Sequence, residues 1–172
     1  MNETKMYLLD FQRSNNKLTL WEKKFFFYFR LCSTHNPLIK LFARYRYKKI
    51  RLKHGIEIDP NTQIGKGLYL GHPYNISINP HTIIGNNCNI HKGVVIGAEN
   101  RGRREGTPTI GDNVWIGINA AVVGKISVGN DVLIAPNSYV NFDIPSHSVV
   151  YGNPGIIKHR DNATEGYINN CI

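Results

Sequence analysis

The sequence contains few cysteines and no long apolar run, and both features exclude classes of protein. Its 172 residues include three cysteines, an odd number that cannot form a complete set of disulfide bonds. The longest apolar run, residues 25–29, is far shorter than the roughly 20 residues that span a bilayer. The first ten residues lack the basic segment and apolar core of a secretory signal. We therefore predict a reduced, cytoplasmic chain.

Acidic residues are scarce in one part of the chain only. Residues 1–54 contain thirteen Lys and Arg but three Asp and Glu, a net charge of +10. Residues 55–172 contain eight and nine, a net charge of −1. The basic character of the protein therefore belongs to its N-terminal segment.

An aliphatic residue recurs at every sixth position over much of the chain. Neither the 3.6-residue period of a helix nor the two-residue period of a strand gives this spacing. It is typical of a chain that coils in short strands around a common axis. The repeat comprises Ile58, Ile64, Leu70 and Ile76; then, after a slip of two residues, Ile78, Ile84, Ile90 and Ile96; and finally Ile110, Ile116, Val122, Val128, Ile134 and Val140.

Three six-residue units make one triangular coil, and the repeat predicts a mainly β, single-stranded parallel β-helix of about four coils over residues 55–157. The period breaks between Ile96 and Ile110. Residues 98–108 are polar there and are predicted to form a loop that leaves the β-helix, where binding residues are often placed. Residues 158–172 are predicted to be a C-terminal tail.

Residues 1–54 are predicted to be a basic helical segment, with helices at 18–31 and 37–52 and with Asn36 capping the second one. The mixture of aromatic and basic side chains has three interpretations. The segment packs on the β-helix or on a neighbouring subunit, or it makes peripheral contact through residues 18–54 with the anionic inner face of a membrane. Nucleic-acid binding is the third, but nothing else resembles a nucleic-acid module, so we predict no such partner.

His72 lies just before the slip in the repeat and is the strongest catalytic candidate. A neutral imidazole accepts a hydroxyl proton near neutral pH, and a carboxylate partner orients it. Glu57 lies fifteen residues earlier, which places it in a neighbouring coil or corner if one coil has about eighteen residues. We predict a His72–Glu57 pair as the base, with His91 as a further candidate for acceptor binding or proton transfer.

Four motifs make residues 35–160 similar to hexapeptide-repeat acyltransferases of the serine acetyltransferase branch, which includes bacterial polysaccharide O-acetyltransferases. They are Gly-Leu-Tyr-Leu-Gly-His at 67–72, Ile-Gly-Asn-Asn at 84–87, Gly-Thr-Pro-Thr-Ile-Gly-Asp-Asn-Val-Trp-Ile-Gly at 106–117 and Gly-Asn-Pro at 152–154. The resemblance implies a left-handed β-helix, a homotrimer with active sites between protomers, and acetyl-CoA as the donor. It also implies that His72, assisted by Glu57, is the general base for direct attack of a hydroxyl on the thioester.

The chain departs from serine acetyltransferases at two places that concern the acceptor. Those enzymes carry Asp directly before the catalytic histidine, where this chain has Gly71, and Arg-His where it has Gly106-Thr107. The missing side chains would pair with the two charges of serine, and charges bound away from water need partners. We therefore predict a sugar or polysaccharide hydroxyl as the acceptor. A serine O-acetyltransferase of cysteine biosynthesis and a non-catalytic trimeric scaffold are the alternatives.

The resemblance implies a donor site built from small residues and backbone groups. The predicted CoA-binding residues are Gly97, Ala98, Gly117, Ile118, Ala135 and Pro136, with Lys158 and Arg160 for the phosphates. The predicted acceptor-binding residues are Tyr74, Asn75, Arg101, Arg103 and Arg104. The three arginines suit CoA phosphates and an anionic glycan equally well. No metal-ligand spacing is present, so no metal is predicted.

Overall fold

The computed structural model describes residues 3–15 and 17–172, and its N-terminal part consists of α-helices. These are α1 (Glu3–Arg13), α2 (Leu20–Leu31) and α3 (Pro37–Lys53). The two predicted helices are confirmed as α2 and α3, whereas α1 is an addition. The predicted cap is also confirmed, because the Asn36 side chain accepts hydrogen bonds from the amides of Leu38 and Ile39 at 3.0 and 3.1 Å.

After α3 the chain winds into a parallel β-helix with three faces, each a stack of one strand per coil. The first face contains β1 (Ile56–Ile58), β4 (Ile76–Ile78), β7 (Val95–Gly97), β10 (Ala121–Val123) and β13 (Tyr139–Val140). The second contains β2 (Gln63–Ile64), β5 (Ile83–Ile84), β8 (Thr109–Ile110) and β11 (Ser127–Val128). The third contains β3 (Tyr69–Gly71), β6 (Asn89–His91), β9 (Val114–Ile116), β12 (Val132–Ile134) and β14 (Ser148–Tyr151), and ends with the antiparallel β15 (Ile156–His159).

The aliphatic residues of the six-residue repeat fill the interior, as predicted. Stacked pairs such as Ile58 on Ile78 and Ile116 on Ile134 are almost completely buried. The β-helix has about five coils rather than about four. The difference arises at the C-terminal end of the β-helix. The last coil contains Ile144 and Val150, which continue the buried columns. Ile144 follows Val140 after only four residues, so a count in steps of six stops at Val140 and misses this coil.

Two insertions interrupt otherwise uniform coils, and both lie at corners. Ile58 stacks on Ile78, twenty residues later, whereas Ile78 stacks on Ile96 after only eighteen. The two extra residues of the first coil precede β4. The larger insertion follows β7, where the backbones of Glu99 and Gly106 pair in a short hairpin with N–O distances of 3.0 and 2.9 Å.

A buried ion pair joins the helices to the first coil. Arg30 donates to both carboxylate oxygens of Asp10 at 2.7 and 3.0 Å, and to the carbonyls of Ile64 and Gly65 at 2.7 and 2.6 Å. Asp10 in turn accepts from the amide of Leu68 at 3.0 Å. A single arginine therefore connects α1, α2 and the β-helix, and both charges of the Arg30–Asp10 pair are removed from water.

We predict that Arg30→Met lowers the free energy of unfolding by about 3–5 kcal/mol, because it leaves the buried Asp10 carboxylate without a counter-charge. The double variant Asp10→Asn/Arg30→Met should lose less, since no bare charge remains. Arg101→Met, at an exposed loop position, is the control. Urea unfolding followed by circular dichroism measures all of these, and equal stability of Arg30→Met and the control would contradict the prediction.

Candidate active site

A cleft of about 610 Å³ lies where the third face of the β-helix meets the N-terminal helices and the C-terminal tail. The β-helix contributes two histidines and a tryptophan, His72, His91 and Trp115. The helical segment contributes Arg13 and Trp21. Three parts of the chain that are distant in sequence therefore form one concave surface.

His72 occupies the corner that the two-residue insertion creates. Its backbone has φ 51°, in the left-handed region that residues other than glycine rarely adopt. The amide of Tyr74 donates to the carbonyl of His72 at 2.7 Å, and Asn75 has φ 54°. This tight turn directs an exposed imidazole towards the cleft. Left-handed residues held in this way are frequent at functional sites.

The ring of His91 covers Gly71 in the preceding coil. The two residues are register partners, and a Cβ atom at position 71 would lie 2.2 Å from His91 Nδ1. Trp115 lies on the other side, with ring centroids 4.7 Å apart. His91 Nε2 is buried without a hydrogen-bond partner among the described residues. Burial, and the nearby charge of His72, lower the pKa of His91, so this ring is neutral at neutral pH.

Arg13 and the C-terminal tail close one side of the cleft, and reasoning from the sequence missed both. Arg13 donates to Asn89 Oδ1 at 2.7 Å and to the carbonyl of Asn169. Asn89 also donates to the carbonyl of Tyr167 at 3.1 Å. The tail is also attached to a later coil of the β-helix, where the Asp131 carboxylate accepts hydrogen bonds from the backbone amides of residues 163–164, both at 3.0 Å.

Glu57, the predicted partner of His72, lies on the first face and outside the cleft. Its carboxylate accepts a hydrogen bond from Ser77 Oγ at 2.9 Å. Across residues 3–15 and 17–172, no ion pair or hydrogen bond joins Glu57 to His72. Their pairing therefore remains a prediction.

Tyr74 and Asn75, the predicted acceptor contacts beside His72, take different positions. Tyr74 lines the cleft and packs against Trp21, with ring centroids 5.8 Å apart. Trp21 also stacks on His54, with centroids 3.7 Å apart. Asn75 instead faces the start of the β-helix, where its amide donates to the carbonyl of His54 at 3.4 Å. Of the two, only Tyr74 borders the cleft.

Comparison with known proteins places this architecture among transferases. Residues 107–141 match the family described as bacterial transferase hexapeptide (six repeats). A serine acetyltransferase of Staphylococcus aureus strain Mu50 is 40% identical over 112 residues, which cover 65% of this chain and 53% of that protein. One from Staphylococcus xylosus is 39% identical over 124 residues, covering 72% and 57%.

The fold is also similar to that of a solved structure. The crystal structure of Neisseria gonorrhoeae serine acetyltransferase superposes with a TM-score of 0.71 at 25% identity, covering 92% of this chain and 66% of that one. The chain is similar to the hexapeptide-repeat transferases, in their serine acetyltransferase-like branch. The left-handed β-helix that the family resemblance implies is thereby confirmed. The chain spans about half the length of the curated relatives it matches.

The residues that the serine acetyltransferase-like resemblance assigns to CoA lie on two corners of the β-helix. Gly117, Ile118, Ala135 and Pro136 follow β9 and β12 and share the corner of His72 and His91. Gly97 ends β7 and Ala98 follows it, at the next corner. The first face separates the two groups within one protomer. A groove that uses both groups therefore requires the corners of two protomers.

The loop arginines also lie at the second corner. Arg103 and Arg104 line a second cleft, of about 440 Å³, together with Lys125 and Asp143, and Arg101 is exposed on the same hairpin. Lys158 and Arg160 are exposed in and after β15. Among the described residues, no three His, Cys, Asp or Glu side chains form a group that could hold a metal ion.

The proximity of the two histidines predicts coupled titration. We expect His72→Asn to raise the pKa of His91 towards its ordinary value, because the substitution removes the positive charge that His72 acquires at low pH. The asparagine tolerates the left-handed backbone. Nitrogen-15 NMR of labelled imidazoles measures the shift, with the exposed His159→Asn as a control that leaves His91 unchanged. An unaltered His91 titration in His72→Asn would rule out the coupling.

Proposed function

We propose that this chain is an acetyl-CoA-dependent O-acetyltransferase in which His72 is the general base. The observation that carries the proposal is the position of His72. Its side chain projects from a constrained corner into the cleft of about 610 Å³, within a fold shared with serine acetyltransferases. Catalytic bases must reach the proton they remove, and an exposed imidazole at the edge of a cleft satisfies that condition.

The proposed reaction is a single displacement. The neutral imidazole of His72 accepts the proton of the acceptor hydroxyl as the oxygen attacks the carbonyl carbon of the acetyl thioester. The carbon–sulfur bond then breaks, and the proton passes from the imidazolium to the departing thiolate of CoA. Glu57 is proposed to stabilise the imidazolium. His91 lines the same cleft, and its lowered pKa means that it adds no second positive charge next to the base.

The donor is proposed to lie in a groove between two protomers of a homotrimer. Small residues allow a thin pantetheine arm to approach the backbone. Gly117 is also required by the packing of the coils, since a Cβ there would lie 2.6 Å from the backbone nitrogen of Pro136. Residues from the corner of His72 and from the corner of Gly97 meet only if a second copy contributes. Arg103, Arg104 and Lys125 supply positive charge for phosphates at the second corner.

Free serine is the first candidate acceptor. The matched relatives are serine acetyltransferases by name, and one matched soybean structure is described as complexed with serine, at a TM-score of 0.75 and 22% identity. These comparisons favour the serine alternative over the sugar hydroxyl that the sequence predicts. The matched region, however, covers only 53% and 57% of those relatives.

A sugar hydroxyl is the second candidate, and the contact of Gly71 with His91 favours it. Serine acetyltransferases are expected to place a carboxylate at position 71 to bind the amino group of serine. Here the imidazole of His91 fills that space, at 2.2 Å from any Cβ. The cleft is lined instead by Trp115, Tyr69 and Tyr167. Flat aromatic surfaces and neutral hydrogen-bonding groups suit an uncharged polyol.

Acceptor identity is tested by measuring CoA release from acetyl-CoA with L-serine and, separately, with a panel of hexoses, amino sugars and oligosaccharides. We expect release with L-serine above the rate without acceptor. Saturation should need high serine concentrations, because Gly71 offers no partner for the amino group. A background rate with serine, combined with turnover of a sugar, would replace the first candidate by the second.

We expect His72→Asn to lower kcat by about a hundredfold or more, the usual contribution of a general base. Asparagine keeps the left-handed turn, so circular dichroism and oligomeric state should stay unchanged. The control is His81→Asn, an exposed histidine in a turn on another corner, which should retain activity. Full activity of His72→Asn would refute the proposed base. Absence of activity towards every acceptor in the unmodified protein would favour the scaffold interpretation.

A further inference from the structure

The outer face of α3 carries an exposed apolar stripe. Its members, the α3 outer stripe, recur at intervals of three, four and seven residues, and each is more than half exposed: Leu38, Leu41, Phe42, Tyr45 and Leu52. Large apolar side chains are unusual as a contiguous exposed row on a protein surface and generally mark an interaction site. The stripe therefore requires a partner.

The α3 outer stripe is not the side of the helix that packs against the rest of the protein. The opposite side of α3 supplies the packing, since Ala43 and Tyr47 are almost fully buried and the Tyr47 hydroxyl donates to the carbonyl of Ile58 at 3.0 Å. Phe25 packs against Tyr47 with ring centroids 5.2 Å apart. α3 is thus firmly attached to the β-helix by one face while the other faces outwards.

Positive charges flank the stripe on both sides. α3 contains seven Lys and Arg residues and no Asp or Glu. Several lie against stripe residues: the Arg46 guanidinium lies 5.9 Å from the Phe42 ring centroid, and the Lys49 ammonium 4.7 Å from that of Tyr45. Helices with an apolar face, aromatic residues and flanking cations are suited to the boundary between headgroups and acyl chains.

We propose that the α3 outer stripe docks on the surface of an anionic lipid membrane, with its apolar side chains at the acyl boundary and its cations on the headgroups. A second copy of this face is a poor occupant, because pairing two such helices would bring fourteen positive charges together without a single carboxylate on either helix. Attachment is peripheral, as no helix among the described residues is long and apolar enough to cross a membrane.

The chain of 172 residues is tested by sedimentation with vesicles of phosphatidylglycerol mixed with phosphatidylcholine, and with vesicles of phosphatidylcholine alone. We expect binding to the anionic vesicles only, weakening between about 0.05 and about 0.5 M salt. Leu38→Gln/Leu41→Gln should lower the partition constant about tenfold or more without changing charge. Lys48→Gln/Lys49→Gln should lower binding and its dependence on salt.

The matched control is Tyr151→Gln/Ile156→Gln, an exposed pair on the last coil, which should bind vesicles like the unmodified protein. Thermal unfolding checks that each variant is folded. Failure to bind anionic vesicles at low salt would overturn the proposal. Equal binding of the α3 variants and the control would also overturn it. The proposal would also be overturned if light scattering showed a doubled mass for the unmodified protein but not for Leu38→Gln/Leu41→Gln, and no vesicle binding occurred.

Discussion

In-register stacking of aliphatic side chains, one for each face of each coil, constrains every other position in this β-helix. Because Ile58 stacks on Ile78 and Ile90 on Ile116, additional residues can be accommodated only at the corners between strands. The two-residue insertion that holds His72 and the hairpin at residues 98–108 obey this rule. The buried columns tolerate insertions only where the chain turns, so chemistry is placed at corners by the requirements of packing.

The ion pair of Arg30 with Asp10 has a comparable role for the helices. Burying two charges is costly unless geometry and additional hydrogen bonds compensate, and here the arginine also satisfies two carbonyls of the first coil. The arrangement holds α1 against the first coil of the β-helix. Arg13, three residues after Asp10, is thereby brought to the cleft and to Asn89. The contact that holds α1 in place thus also positions Arg13 in the cleft that His72 lines.

The sequence predicts features that depend on neighbours along the chain. The six-residue period identifies inward positions such as Ile90, and the slip in that period locates the corner of His72. Asn36 before Pro37 identifies the start of α3. Contacts between distant segments leave no such pattern. Arg13 meets Asn89 across 76 residues and Asn89 meets Tyr167 across 78, and neither residue type at those positions signals a site.

The same dependence on contacts between distant segments explains why the pairing of His72 with Glu57 remains a prediction. Spacing places Glu57 about one coil from His72, but spacing does not determine which face a side chain occupies. In the structure Glu57 is engaged by Ser77 on the first face. The donor residues show the complementary case, since a family pattern assigns them to one groove although they lie on two corners of a protomer. In the proposed homotrimer, both features would depend on how copies of the chain assemble.

α2 borders the cleft and also contacts the basic apolar surface of α3, and this connection bears on the acceptor. Trp21 of α2 lines the cleft, while Tyr28 of the same helix packs edge-on against Phe42 in the α3 outer stripe. Attachment of α3 to an anionic membrane would hold the cleft near that surface. Such an arrangement benefits an enzyme whose acceptor is linked to lipid and offers nothing to one that acetylates a freely diffusing amino acid. Membrane binding and sugar acetylation would therefore reinforce each other, whereas turnover of serine would leave the stripe without a catalytic rationale.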